Sequence, residues 1–191
     1  MKRTLIVIPH LDDETFGIGG TLFKMCNEDP SKVRVLALCK GRNYKNSVER
    51  KKAFHIIQEH LEFGYTVLDH YDMELENVLL RDLTHVISSE IYKFNPERVI
   101  TVSGNDIHQD HQITSHAVQI VVRPGKTPVN ELLEFQIPGS EPFTSTYFDT
   151  VSDVSDVSLA KQRMLSYYTS ENQPDLIQQE RFKTVYRKFE I

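Results

Sequence analysis

The chain has 191 residues, 39% of them hydrophobic and 26% charged, and a formal net charge of −5. That length and composition suit one globular domain with a sizeable core. The acidic balance argues against nucleic acid as a partner, and no run of about eighteen apolar residues is present to span a membrane.

The first apolar run, Thr4-Leu5-Ile6-Val7-Ile8, predicts a buried strand. The basic Met1-Lys2-Arg3 before it does not make a signal peptide, because the apolar run is short and ends in a polar motif. Residues 15–27 can form a helix carrying Phe16, Leu22, Phe23 and Cys26. A strand is expected over 33–39, a helix over 46–61, a short strand over 65–68 and a helix over 78–94 that stops before Asn95-Pro96. A strand over 98–102 and a helix over 112–122 follow. Residues 131–137 read as a further strand, 138–146 as a loop, and the stretch from Ser158 onward as one or two helices. Alternation of this kind implies an α/β fold: three layers, Rossmann-like, a mostly parallel sheet with helices on both faces, in a single domain over 1–191. The string Gly17-Ile18-Gly19-Gly20 lies inside the first helix, not in the turn where a dinucleotide fingerprint needs its glycines, so it reads as close helix packing. Cys26 and Cys39 lack CxxC spacing and read as reduced, buried residues of a cytoplasmic protein.

Two segments carry chemistry. The first strand runs into Pro9-His10-Leu11-Asp12-Asp13-Glu14, which sets an imidazole and three carboxylates at its C-terminal tip. In open α/β sheets ligands bind at that edge. Carboxylates packed so closely repel one another unless a cation sits among them. Helix capping by Asp12 or Asp13 is the competing explanation, and it leaves His10 unexplained. The second segment, Asn105-Asp106-Ile107-His108-Gln109-Asp110-His111, follows the strand over 98–102 and delivers His and Asp to the same edge. Two ligands from the first segment and one from the second match a catalytic zinc site, which typically takes three protein ligands.

Pro9-His10-Leu11-Asp12-Asp13-Glu14 together with His108-Gln109-Asp110-His111 resembles the paired signature of the LmbE-like (PIG-L) family of zinc-dependent N-deacetylases. Gly19-Gly20-Thr21-Leu22, residues 49–53 before Leu61-Glu62-Phe63-Gly64, and residues 158–170 with Lys161 and Tyr168 extend the likeness over most of the chain. Leu11, Gln109, Gly104 and Ser170-Glu171 depart from the family's usual residues and bear on loop shape and substrate choice. The resemblance implies His10, Asp13 and His111 as metal ligands, with Zn2+ the expected ion; two His and one carboxylate also suit Fe2+ or another divalent transition metal. It implies Asp12 as general base on the metal-activated water, and His108 as stabiliser of the oxyanion, with Asp110 orienting that imidazole or raising its pKa. Glu14 would support the ligands or cap the helix. The implied activity is removal of an N-acetyl group from an N-acetylglucosamine-type sugar or its conjugate. A small-molecule N-acetylated sugar is then the partner, and a homo-oligomer is compatible with the sequence. Hydrolysis of another small amide, and a non-catalytic metal- or sugar-binding module, are the alternatives.

The remaining candidates are less specific. Asp72, near Asp69 and His70, stands where the family places a sugar-contacting Asp, although turn chemistry explains an Asp there equally well. Lys40 and Arg42, with Lys45, follow the second strand and read either as solvated surface or as a receptor for an anionic substrate group. His55, His60, His85 and His116 lie within expected helices and read as surface residues.

Overall fold

Five successive residues with no exposed surface make β1 (Thr4–Ile8) a strand covered on both faces. Its period of two sends Ile6 and Ile8 into one apolar cluster and Leu5 and Val7 into another. The computed structural model describes residues 1–140, 147–171 and 178–188. After β1 come α1 (Asp13–Glu28), β2 (Val33–Cys39), α2 (Tyr44–Leu61), β3 (Gly64–His70), α3 (Leu80–Phe94), β4 (Arg98–Val102), α4 (Gln109–Val122), β5 (Glu131–Phe135), β6 (Thr150–Asp153), α5 (Ser158–Leu165) and β7 (Gln179–Arg187).

The seven strands form one sheet in the order β3-β2-β1-β4-β5-β7-β6. The first five are parallel, whereas β7 runs antiparallel to both β5 and β6. Apolar residues of α1, α2 and α5 share the Ile6/Ile8 cluster, and those of α3 and α4 share the Leu5/Val7 cluster. The result is the three-layer α/β arrangement expected from the alternation. The chain winds outward from β1 through β2 to β3, then returns to place β4 on the other side of β1. Between β1 and β4 the winding reverses, and that reversal opens a crevice at the C-terminal ends of the two strands.

The structure departs from expectation mainly at the C-terminal end. The region after Ser158 holds one helix, α5, and the second element is the strand β7. Its alternation of buried Glu180 and Phe182 with exposed Gln179 and Arg181 is a strand pattern, masked in the sequence by charge. The edge strand β6 was not expected either. Of the loop expected over 138–146, residues 141–146 lie outside the described residues. Helices α1, α2 and α4 begin two or three residues earlier than their apolar periods indicate, because their first turns are largely polar: Asp13 and Glu14 in α1, Lys45 and Asn46 in α2, Gln109 to His111 in α4. Among the described residues no helix is long and apolar enough to cross a membrane.

Helix α1 is broken at Ile18 (φ −135°, ψ 26°). The backbone N–H groups of Gly20 and Thr21 beyond the break donate to the two oxygens of the Glu180 carboxylate, each at 2.8 Å. Lys161 Nζ lies 2.7 Å from the same carboxylate, and both side chains are almost completely buried. An anion held by freed amides at a helix start is a favourable arrangement, and it ties β7 to α1 and α5. Small residues bring the layers this close. A Cβ on Gly17 would overlap the Phe135 ring, and one on Gly20 would lie 2.5 Å from Val154. Gly17→Ala is therefore expected to lower stability by roughly 1–3 kcal/mol. At Gly19 the nearest atom to a Cβ is 3.5 Å away, so Gly19→Ala should be neutral or stabilising, and thermal melts of the two variants check both outcomes.

Candidate active site

The crevice between β1 and β4 gathers both motifs. The turn after β1 carries His10, Asp12 and Asp13 into the start of α1, and the turn after β4 carries Asp106, His108, Asp110 and His111 into the start of α4. All but His108 are buried.

His10 Nδ1 lies 3.3 Å from His111 Nε2 and 3.4 Å from Asp13 Oδ2, and His111 Nε2 lies 3.6 Å from Asp13 Oδ1. Zinc–ligand lengths of about 2.0–2.1 Å put ligand atoms roughly 3.4 Å apart around a tetrahedral ion. Two imidazoles and a carboxylate at these separations therefore fit a divalent transition metal. The partners behind the rings fit as well. His10 Nε2 is 3.0 Å from Asp110 Oδ2, which leaves Nδ1 to face the crevice. His111 Nδ1 is 2.9 Å from Asp106 Oδ2, a close contact without good hydrogen-bond alignment, and Nε2 faces the crevice. Carboxylates behind ligand histidines orient the rings and raise their basicity. Burial, which alone would lower the His10 pKa, is outweighed by Asp110 and Asp13, and it rises to about 10. Burial pushes Asp13 upward, but His111 and His10 hold it below the ordinary carboxylate range.

Two looser groupings share His10. Nitrogens of His10, His108 and His111 fall within 4.8 Å of one another, as do ligand atoms of His10, Cys39 and Asp72. The second has a poor donor, since burial and then the nearby Asp110 and Asp72 push the Cys39 thiol far above its ordinary pKa. Both cysteines are free and buried, as expected.

Asp12 and His108 flank the tight trio. Burial raises the Asp12 carboxyl well above its usual range, against the pull of Arg50, whose Nη2 is 3.2 Å from Asp12 Oδ2. His108 caps α4, its Nδ1 accepting the backbone N–H of Asp110 at 3.2 Å, which places its ring proton on Nε2. Burial and the neighbouring His10 and His111 lower its pKa to about 4, so it is a neutral donor. The Asp110 carboxylate lies 3.0 Å from His10 Nε2 and accepts the Met73 N–H (2.7 Å), its backbone N–H is held by His108 Nδ1, and its charge raises the His108 pKa against burial. In the first turn of α4 the Asp110 side chain reaches across to His10 after β1, and the ring of the capping residue His108 packs against the His10 and His111 rings.

The other candidates have definite partners. Glu14 touches none of the tight trio by hydrogen bond. Its Oε1 accepts from Tyr168 Oη (2.7 Å) and Thr15 Oγ1 (2.8 Å), and burial raises its pKa to about 7. Asp72 Oδ2 is 2.9 Å from Arg50 Nη1, while its buried Oδ1 has no hydrogen-bond partner among the described residues. Lys40 Nζ is 2.6 Å from Asp69 and lies over the Tyr71 ring, and Arg42 Nη2 is 2.8 Å from Glu171. His55, His60, His85 and His116 are exposed, as expected.

Sequence reasoning did not single out Arg50, and it named Asp106 and Glu171 without assigning them a partner in the site. Arg50 is buried and joins Asp12, Asp72 and Glu171. Asp106, inside the second motif, backs His111, and Glu171 collects the arginines. A charge on the otherwise buried face of α2, beside Ala53, Phe54 and Ile57, was the available signal for Arg50.

Comparisons with known proteins bear on this crevice. The profile of the PIG-L family, described as GlcNAc-PI de-N-acetylase, matches residues 5–122. No curated protein sequence matches significantly. Among solved structures, N,N'-diacetylchitobiose deacetylase from Pyrococcus horikoshii is similar with a TM-score of 0.74 at 16% identity, over 96% of this chain and 83% of that one. A zinc-inhibited form of the teicoplanin deacetylase Orf2 aligns with a TM-score of 0.70 at 16% identity, over 91% and 88%. GalB, the 4-carboxy-2-hydroxymuconate hydratase of Pseudomonas putida KT2440, aligns with a TM-score of 0.72 at 18% identity, over 100% and 99%. At such identities the structural likeness speaks for the fold. The family profile covers more than half of the chain and includes both motifs, and this chain therefore belongs to the PIG-L (LmbE-like) family.

Proposed function

We propose that the protein is a metal-dependent N-deacetylase of an N-acetylated amino sugar or its conjugate. The observation that carries this reading is the convergence of His10 Nδ1, Asp13 and His111 Nε2 within 3.3–3.6 Å, with Asp12 and His108 beside them. His10, Asp13 and His111 would hold the ion, which when bound supplies Lewis acidity toward water and the acyl oxygen. Asp12, made more basic by burial, takes a proton from water as its oxygen adds to the acyl carbon. Neutral His108 donates from Nε2 to the oxygen on which charge develops. The C–N bond then breaks, the amine leaves with the proton that Asp12 held, and acetate remains. Asp110 is a positioning residue in this scheme, acting through His10.

The substrate class is carried over from the family and from the acetylated sugar named for the Pyrococcus horikoshii neighbour. GalB shows that one fold serves different reactions, so the activity has to be argued from the residues. The test is acetate release from a panel of N-acetylglucosamine conjugates by protein loaded with zinc or iron. Release that chelation abolishes and a divalent ion restores is the expected result. No release from any conjugate, with metal bound, would favour another small amide or a non-catalytic module. Asp106→Ala should weaken metal binding about 10–100-fold, because His111 loses the carboxylate that orients it. Competition with a chromogenic chelator measures that loss, and unchanged affinity would remove Asp106 from the scheme.

A further inference from the structure

Three cations, from the turn after β2 and from α2, are each paired. Lys40 is taken by Asp69, Arg42 by Glu171, and Arg50 by Asp12, Asp72 and Glu171. Glu171 is the centre of this arrangement. Its side chain is only 3% exposed, yet it receives Arg42 Nη2 at 2.8 Å, Arg50 Nη2 at 2.7 Å and Nε at 2.9 Å, Asn46 Nδ2 at 2.7 Å and Ser170 Oγ at 3.0 Å. Burial would raise its pKa, but Arg50 and Asn46 bring it down to about 2, so the carboxylate stays ionised. Arg42 reaches out from the pair with a side chain 65% exposed.

Resting on the deacetylase reading, we infer that Glu171 sets the charge of the substrate. By neutralising Arg42 and sharing Arg50, it makes this rim accept uncharged N-acetylated sugars and turn away conjugates that carry phosphate or carboxylate beside the sugar. An anion approaching Arg42 meets the Glu171 charge directly behind the guanidinium. Drawing Arg42 away would take from this carboxylate one of its two cations, a costly change for a side chain so little exposed. Hydroxyl groups meet no such barrier, because the guanidinium retains further N–H donors for them. An isolated basic cluster would favour anions, and the carboxylate contributed from beyond α5 reverses that preference.

Glu171→Gln keeps the size of the side chain and an acceptor for Arg50 while removing the charge. The probes are methyl N-acetylglucosaminide and N-acetylglucosamine 1-phosphate, followed by acetate release, and inorganic phosphate, followed by calorimetry. Wild type is expected to favour the methyl glycoside. Glu171→Gln should lower KM for the phosphate relative to the methyl glycoside by about tenfold, the scale of one charge-assisted hydrogen bond, and tighten inorganic phosphate binding similarly. Adding Arg42→Ala should remove both gains. Gains that survive Arg42→Ala, or an unchanged preference in Glu171→Gln, would overturn the inference. If Glu171→Gln does not fold, the exposed Arg42→Ala alone decides: it should shift the phosphate-to-methyl ratio by no more than about twofold. A roughly tenfold loss for the phosphate alone would mean that Arg42 already receives anions, and the inference would fail. Absence of acetate release from both sugars and from the wider panel, with phosphate binding changed as expected, would overturn the deacetylase reading and leave the charge preference standing.

Discussion

Asp12→Asn is expected to keep its metal and lose roughly a hundredfold or more in kcat. The substitution preserves shape, and Arg50 retains Asp72 and Glu171 as partners, so the buried cation is not stranded. Neither Asp13 nor the two imidazoles depend on Asp12 through a side-chain hydrogen bond. What is lost is a basic oxygen in a buried position, and KM should change far less than kcat. His111→Ala separates this from a ligand's role, because removing one of three protein donors should strip the metal as well as the activity. Elemental analysis beside kinetics reads both variants. Loss of metal from Asp12→Asn would make Asp12 a ligand, and near-normal turnover would remove it as the base.

The largest loss of stability is expected at Lys161. Lys161→Met removes the cation from Glu180, whose carboxylate is fully buried and already holds the Gly20 and Thr21 amides. An uncompensated buried charge of this kind costs about 3–5 kcal/mol. Adding Glu180→Gln should recover part of that cost by removing the stranded charge. Full recovery is not expected, since one amide oxygen replaces two carboxylate oxygens and an unsatisfied buried donor costs roughly 1–3 kcal/mol. Urea denaturation of the single and double variants measures both steps. A Lys161→Met protein within about 1 kcal/mol of wild type would show that Glu180 finds water or a proton instead.

The parts of this fold that were legible in the sequence are those where burial follows a simple period. The strands β1, β2 and β4 are apolar runs buried on both faces, and α3 places Leu83, Ile87 and Ile91 on one side. The two motifs were legible because rare residue types follow such strands directly. Arg50 was not, since a guanidinium on a helix rich in charged residues looks solvated. Its burial depends on carboxylates at positions 12, 72 and 171, which only the folded chain brings together. The contact of Asp110 with His10 was not legible, because proximity in sequence to His108 says nothing about which other groups a side chain in the first helical turn reaches. The strand β7 was hidden because the residue that anchors it, Glu180, is charged, and its burial rests on Lys161 and on amides released by the break at Ile18.

That break also orders events in time. The bonds from Gly20 and Thr21 to Glu180 join groups 160 and 159 positions apart. As the polypeptide emerges from the ribosome, the first helix waits with two donors open until almost the last strand has been synthesised. The helix whose opening turn carries Asp13 is thus finished late, and its parallel core must form through slow, long-range closures. A nascent chain halted before residue 180 should therefore display both motifs in a loosely packed species that is open to proteases, and prone to self-association through the exposed edge of β5.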